Sequence, residues 1–307
     1  MTPTHSKKGL SSWVERGYQL FLSIQFKKRS ERVVLTLAIL SYLCHLLLIA
    51  LVRGEFIQSD LGLFASPISA IYTPFSFILV YEVYLLLFYL PKSTTFYIGK
   101  QYEIITLIVI RRIFKDLGEL QLVPDWFQNT KDLQFTFDVL SALILFFLIY
   151  LFYHKVIKKQ ANEVADIFPV NEAAGRYISL KKGIALLLVP VLIGLAGYSF
   201  FNWLNLLLEN QFSGLVVLAN VNTIFFDDFF TILIIVDVLL LLASFYYSDQ
   251  FHVIIRNSGF VLSTILIKLS FSISGPVNNI LVVSSVLFGL LILYIYQLYE
   301  RSLTSQH

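Results

Sequence analysis

The chain has 307 residues, 57% of them hydrophobic and only 14% charged, with a formal net charge of +3. A water-soluble domain is about half apolar and about a quarter charged, so water is not the main solvent of this chain. The linking loop 160–180 leaves no room for a soluble domain, so no soluble catalytic domain or nucleic-acid module is expected, and the single cysteine, Cys44, leaves no disulfide framework and no cysteine-based metal site.

At the N-terminal end, Leu10, Trp13, Val14, Gly17, Leu20, Phe21 and Ile24 recur at helical spacing, with Lys7, Lys8, Arg16, Lys27 and Lys28 around them. This pattern predicts an interfacial amphipathic helix, with Trp13, Lys27, Lys28 and Arg29 at the membrane interface. The first long apolar run begins only near Val33, after a basic stretch, so no cleavable leader is expected.

Spanning a hydrocarbon core takes roughly 20 apolar residues in a helix. Such runs lie near 33–52, 68–90, 134–154, 183–205, 226–247 and 277–298. Two further segments, 97–115 and 251–272, are apolar but carry ionisable residues, and hydropathy alone leaves them ambiguous.

Loop charge resolves them. With eight spans the inner segments are 1–32, 91–96, 155–182, 248–250 and the tail from Tyr299, and these hold most of the basic residues outside the spans. The opposite loops hold only Arg53 and Lys131, beside Asp116, Glu119, Asp125, Asp132 and Glu209. The positive-inside bias then sets both termini in the cytoplasm.

An internal repeat gives the two segments equivalent places. Val80-Tyr81-Glu82-Val83-Tyr84 reads against Ile235-Val236-Asp237-Val238-Leu239, and the same offset aligns Phe96 with Phe251. After a loop that is longer in the first half, Asp138-Val139-Leu140 matches Asn279-Ile280-Leu281, and Tyr153 falls on Tyr294. The expected architecture is therefore an all-α polytopic membrane protein of eight transmembrane helices, arranged as two tandem parallel four-helix repeats. Its segments are a cytoplasmic basic stretch (1–32), a first repeat (33–155), a cytoplasmic linker (156–182), a second repeat (183–299) and a tail (300–307).

Ionisable groups at bilayer depth are costly, face protein or water, and mark candidate ion or proton pathways. Here they are Glu82, Glu103, Arg111, Arg112 and Asp138 in the first half, and Asp237, Arg256 and Lys268 in the second. Helix geometry suggests a pair between Glu82 and Arg111 or Arg112, mirrored by Asp237 with Lys268. Arg112 with Asp116, and Lys115 with Glu119, have the spacing to pair locally instead.

No metal or cofactor is expected, because His5, His45, His154, His252 and His307 are scattered and no HExxH, P-loop or dinucleotide fingerprint occurs. Enzyme activity is the least supported class. The matched acids point to an ion channel or secondary transporter in a plasma or bacterial inner membrane. The competing readings are a non-transporting subunit or assembly scaffold whose charges direct helix packing, and a lipid-handling protein. Expected partners are membrane lipids, and a membrane-protein partner or a second copy of the chain.

Overall fold

The computed structural model describes residues 14–54, 70–117, 130–163, 172–208, 214–247, 250–273 and 275–304, and nearly all of them are helical. A short helix α1 (14–21) is followed by α2 (Ile24–Arg53), α3 (Tyr72–Tyr89), α4 (Thr94–Leu117), α5 (Thr130–Glu163), α6 (Glu172–Leu208), α7 (Gly214–Tyr247), α8 (Phe251–Phe271) and α9 (Pro276–Thr304). Trp13 lies outside the described residues.

The break between α1 and α2 is made by Ser23, whose extended backbone ends one helix while its hydroxyl accepts from the Phe26 amide and starts the next. Helix α1 is fixed to the rest of the chain by Lys182 reaching Glu15 at 2.9 Å, and by the Tyr84 hydroxyl donating to the Phe21 carbonyl at 2.9 Å. Beside it Leu22 enters the core, while Leu20 and Ile24 are 64% exposed on the outside of the bundle.

That exposure identifies the solvent. Along α2 only Ala38, His45 and Ile49 are buried, and Val33, Leu35, Leu37, Ile39, Leu40, Leu43 and Leu47 all face outward. Contiguous apolar surface on this scale is not stable against water and is the ordinary surface of a helix in lipid. Among the described residues six helices are long and apolar enough to cross a membrane: Val14–Arg53, Asp132–Val156, Gly175–Tyr198, Asp228–Tyr247, Phe251–Phe271 and Pro276–Ser302. The chain is an all-α, multi-pass integral membrane protein.

Two helices miss that criterion for different reasons. The apolar part of α3, Thr73–Tyr89, is simply short. Helix α4 is long enough but carries Lys100, Glu103, Arg111, Arg112, Lys115 and Asp116. It is nonetheless deeply enclosed, with Tyr97, Ile98, Gln101, Tyr102, Ile104, Ile105, Thr106 and Val109 all buried. A helix surrounded by protein can carry polar groups that a lipid-facing helix cannot, because neighbouring helices supply their partners.

Each helix packs on the next from α2 to α5 and again from α6 to α9, and the two series meet through α5 with α9, α4 with α8, and α3 with α6. At the centre the Tyr102 hydroxyl bonds to Ser263, which donates in turn to the Ser285 carbonyl at 2.7 Å. Gly289 makes room for this: a Cβ there would collide with the Tyr102 hydroxyl. His45 is a packed, hydrogen-bonded residue, its Nδ1 lying 2.7 Å from the Thr73 hydroxyl.

Candidate functional site

Asp237, on α7, is 4% exposed and sits at the meeting of α4, α7 and α8. Two side chains one turn apart on α4 reach it. The Tyr97 hydroxyl donates to Oδ1 at 3.1 Å, and the Gln101 amide donates to Oδ2 at 3.0 Å. Both donors are neutral, so the carboxylate's lone pairs are met without its charge being cancelled by direct contact.

Cavities lie on both sides of it. One, of about 20 Å³, is lined by Thr94, Tyr97, Tyr177, Lys181, Asn257 and Asp237 itself. The other, of about 10 Å³, is lined by Gln101, Ile105, Phe230, Thr264, Ile267 and again Asp237. Each is near the size of a single water. The order of lining residues along α4, α7 and α8 is the same: Thr94, Leu241 and Asn257 lie at the first cavity, Ile105, Phe230 and Ile267 at the second. The two voids are therefore stacked along the helix axes, with Asp237, Tyr97 and Gln101 as the polar layer between them.

The first cavity carries one cation. Lys181, on α6, is 4% exposed and donates to the Lys92 carbonyl at 3.2 Å and the Thr94 hydroxyl at 2.9 Å. Its ammonium also lies 4.9 Å from the Tyr177 ring, and Tyr177 is fixed by donating to the Leu240 carbonyl at 3.1 Å. Lys181 and Asp237 thus face one small space from opposite walls without a direct bond.

Sequence reasoning paired Asp237 with Lys268, and that pairing does not form. Asp237 lies about 15 Å from the end of α7 that leads into α8, whereas Lys268 is about 25 Å along α8, and the side chains that reach the carboxylate are Tyr97 and Gln101. The Glu82 pairing fails for the same reason. Glu82 is about 10 Å from the end of α3 and Arg111 about 25 Å into α4. The charges around half-buried Glu82 are instead Glu103, Lys100, Lys27 and Glu31. Glu103 itself takes Lys100 at 2.6 Å on its own helix.

Arg112 has a different role from the expected one. Its guanidinium bridges to Asp138 on α5, with Nε to Oδ2 at 2.7 Å and Nη2 to Oδ1 at 2.8 Å, and also donates to the Asn278 and Asn279 side-chain oxygens on α9. Asn279 donates back to Asp138 Oδ1 at 2.7 Å. Local pairing with Asp116 is therefore not what holds Arg112, and Lys115 with Glu119 lies outside the described side chains. Arg111 is buried on the same helix. Arg256 lies over the Tyr296 ring at 4.5 Å and donates to Asn257 Oδ1.

The sequence reading missed Gln101, Lys181 and Asn257. Gln101 had a visible signal, since it stands one turn from Tyr97 on the segment that already carried too many polar groups for lipid. Lys181 falls in a stretch rich in basic residues at the start of an apolar run, where nothing in the sequence distinguishes a buried lysine from an interfacial one. Among the described residues no three His, Cys, Asp or Glu side chains gather to hold a metal ion. The chain matches no family model, no curated protein and no solved structure.

Proposed function

We propose that this protein is a channel or secondary transporter for a small cation, with protons as the simplest candidate, in which Asp237 is the group that binds the ion. The observation that carries the reading is a carboxylate 4% exposed, held by two neutral donors, between two stacked water-sized voids. A carboxylate at this depth is costly unless a function retains it. Protonation would remove its charge, and Lys181 across the inner cavity would balance it when ionised.

Eight spans in two parallel repeats fit the same reading. Helices at matching places in the two halves pack on each other, α4 with α8 and α5 with α9. Asp138 and Asn279, aligned by the sequence repeat, are in direct hydrogen-bond contact, as residues beside a two-fold axis along the membrane normal would be. Both termini are then cytoplasmic.

The test is flux in liposomes. Full-length protein reconstituted with an internal pH dye should dissipate a proton gradient, and Asp237→Asn should lower the rate by at least about tenfold. Wild-type protein that moves neither protons nor sodium or potassium under any gradient or voltage overturns the proposal. A second reading, a non-transporting subunit whose charges fix helix packing, draws support from the Arg112 cluster, where four of the five guanidinium N–H groups meet side-chain oxygens on α5 and α9.

A further inference from the structure

Away from Asp237, on the inner side of the bundle, three lysines from three separate elements converge on one aromatic ring. The ammonium of Lys27, from α2, lies 5.2 Å from the Tyr89 centroid, that of Lys92, from the α3–α4 turn, 4.9 Å, and that of Lys100, from α4, 5.4 Å. The platform beneath them is a row of rings. Phe88 meets Tyr89 at 5.0 Å, Tyr89 meets Phe96 at 5.3 Å, and Phe96 meets Tyr153 at 5.8 Å.

Sharing one ring confines the three charges to roughly one Debye length, ~10 Å, of each other, where they repel. Each ring face attracts a cation, but the rings carry no net charge and cannot cancel three positive charges. Glu103 cancels one, by its contact with Lys100. Among the described residues Lys27 and Lys92 have no carboxylate within ion-pair distance. The Lys27 ammonium donates to the Tyr89 hydroxyl at 2.9 Å, and the Lys92 ammonium lies over the Phe88 and Tyr89 rings. Glu82 and Glu31 stand farther off.

We infer that this cluster is a binding site for a phosphate group at headgroup level, with Lys27 and Lys92 supplying the charge and Lys100 completing the rim. The ligand class is a phosphate-bearing anion, either the headgroup of an anionic phospholipid or free phosphate from the aqueous side. Position favours the headgroup: Ile24, one turn before Lys27, is 64% exposed, and the outward apolar face of α2 rises from there as a track for acyl chains. Clustered lysines beside a membrane span are the arrangement that attracts anionic lipid.

Native mass spectrometry of the detergent-purified full chain tests the site. With phosphatidylglycerol and phosphatidylcholine added in equal amounts, the first bound lipid should be phosphatidylglycerol by about tenfold. Lys92→Gln, at an exposed turn, should reduce that preference at least about threefold, and Lys27→Gln with Lys92→Gln should abolish it. Lys28→Gln, one residue along α2 and outside the cluster, should leave it intact. Equal retention of the two lipids, or an equal loss in Lys28→Gln and Lys92→Gln, overturns the inference. Should the double variant fail to fold, Lys92→Gln alone decides. A parallel thermal-shift measurement separates the sources: protection by phosphatidylglycerol alone assigns the headgroup, whereas equal protection by inorganic phosphate, lost in Lys92→Gln, assigns a soluble anion.

Discussion

Glu82 and Asp237 fall at matching positions of two aligned sequence stretches, yet their surroundings have little in common. Glu82 is half-buried among Glu103, Lys100, Lys27 and Glu31, a crowd of exposed or partly exposed charges near the α3–α4 turn. Asp237 is enclosed, with two neutral donors and a void on either side. The same residue chemistry thus serves two ends. A carboxylate in a charged crowd is one member of a screened network whose other members can rearrange around its loss. One bonded only to neutral partners keeps its charge as a local feature, available to an ion that enters the adjoining space.

Variants at four places would break or sharpen this contrast. The largest stability effect is expected at neither acid but at Arg112, which serves as the yardstick for a purely structural charge. Arg112→Ala leaves Asp138 fully buried and without its cation, and should cost about 3 kcal/mol, the lower end for a broken buried pair because Arg112 is 31% exposed. Chemical or thermal unfolding in detergent would read it. Flux measured on whatever Arg112→Ala protein remains folded should stay within about threefold of wild type.

Next comes Asp237→Asn, with flux down at least about tenfold and the fold retained, since an amide of the same shape keeps one acceptor oxygen, and its NH2 can donate to the Tyr97 hydroxyl or to the Gln101 amide oxygen once either partner reorients. A similar loss in Glu82→Gln would erase the distinction between the two acids. Tyr97→Phe removes one of the two donors to Asp237 and should cost about 1–2 kcal/mol of stability, with a smaller reduction in flux than Asp237→Asn. The smallest effects are expected in the Glu82 neighbourhood: Glu82→Gln and Lys100→Gln should each change stability by no more than about 1 kcal/mol, because these groups are partly exposed and screened. A cost near that of Arg112→Ala would mean that the charged crowd is as tightly interlocked as the Arg112–Asp138 cluster.

Much of the scaffold was legible in the sequence because lipid imposes a simple rule: a spanning helix must be long and apolar. Helix α4 escaped that rule: its polar groups keep it out of the six apolar spans, and loop charge and the repeat are the only grounds on which the sequence proposes it as a further one. The pairings were not legible. Asp237 with Lys268 and Glu82 with Arg111 looked feasible because opposite charge was visible and depth counted from hydropathy alone put Glu82 and Arg111 within reach of long side chains. Counting residues from the ends that α3, α4, α7 and α8 adopt removes both pairs at once. Neutral partners were harder still, since Tyr97 and Gln101 carry no charge to search for, and an amide within an apolar helix is as compatible with simple packing as with gripping an acid.

The seat of Tyr102 over Gly289 has a mechanical consequence. Tyr102, Ser263 and the Ser285 carbonyl join α4, α8 and α9 at one level, one residue along from the Gln101 that holds Asp237. Translating α9 past α4 would bring a side chain into the space that glycine leaves for the hydroxyl, so sliding is blocked there while tilting is not. A conformational change that opened either void would therefore have to turn about this level, beside the acid, instead of sliding past it.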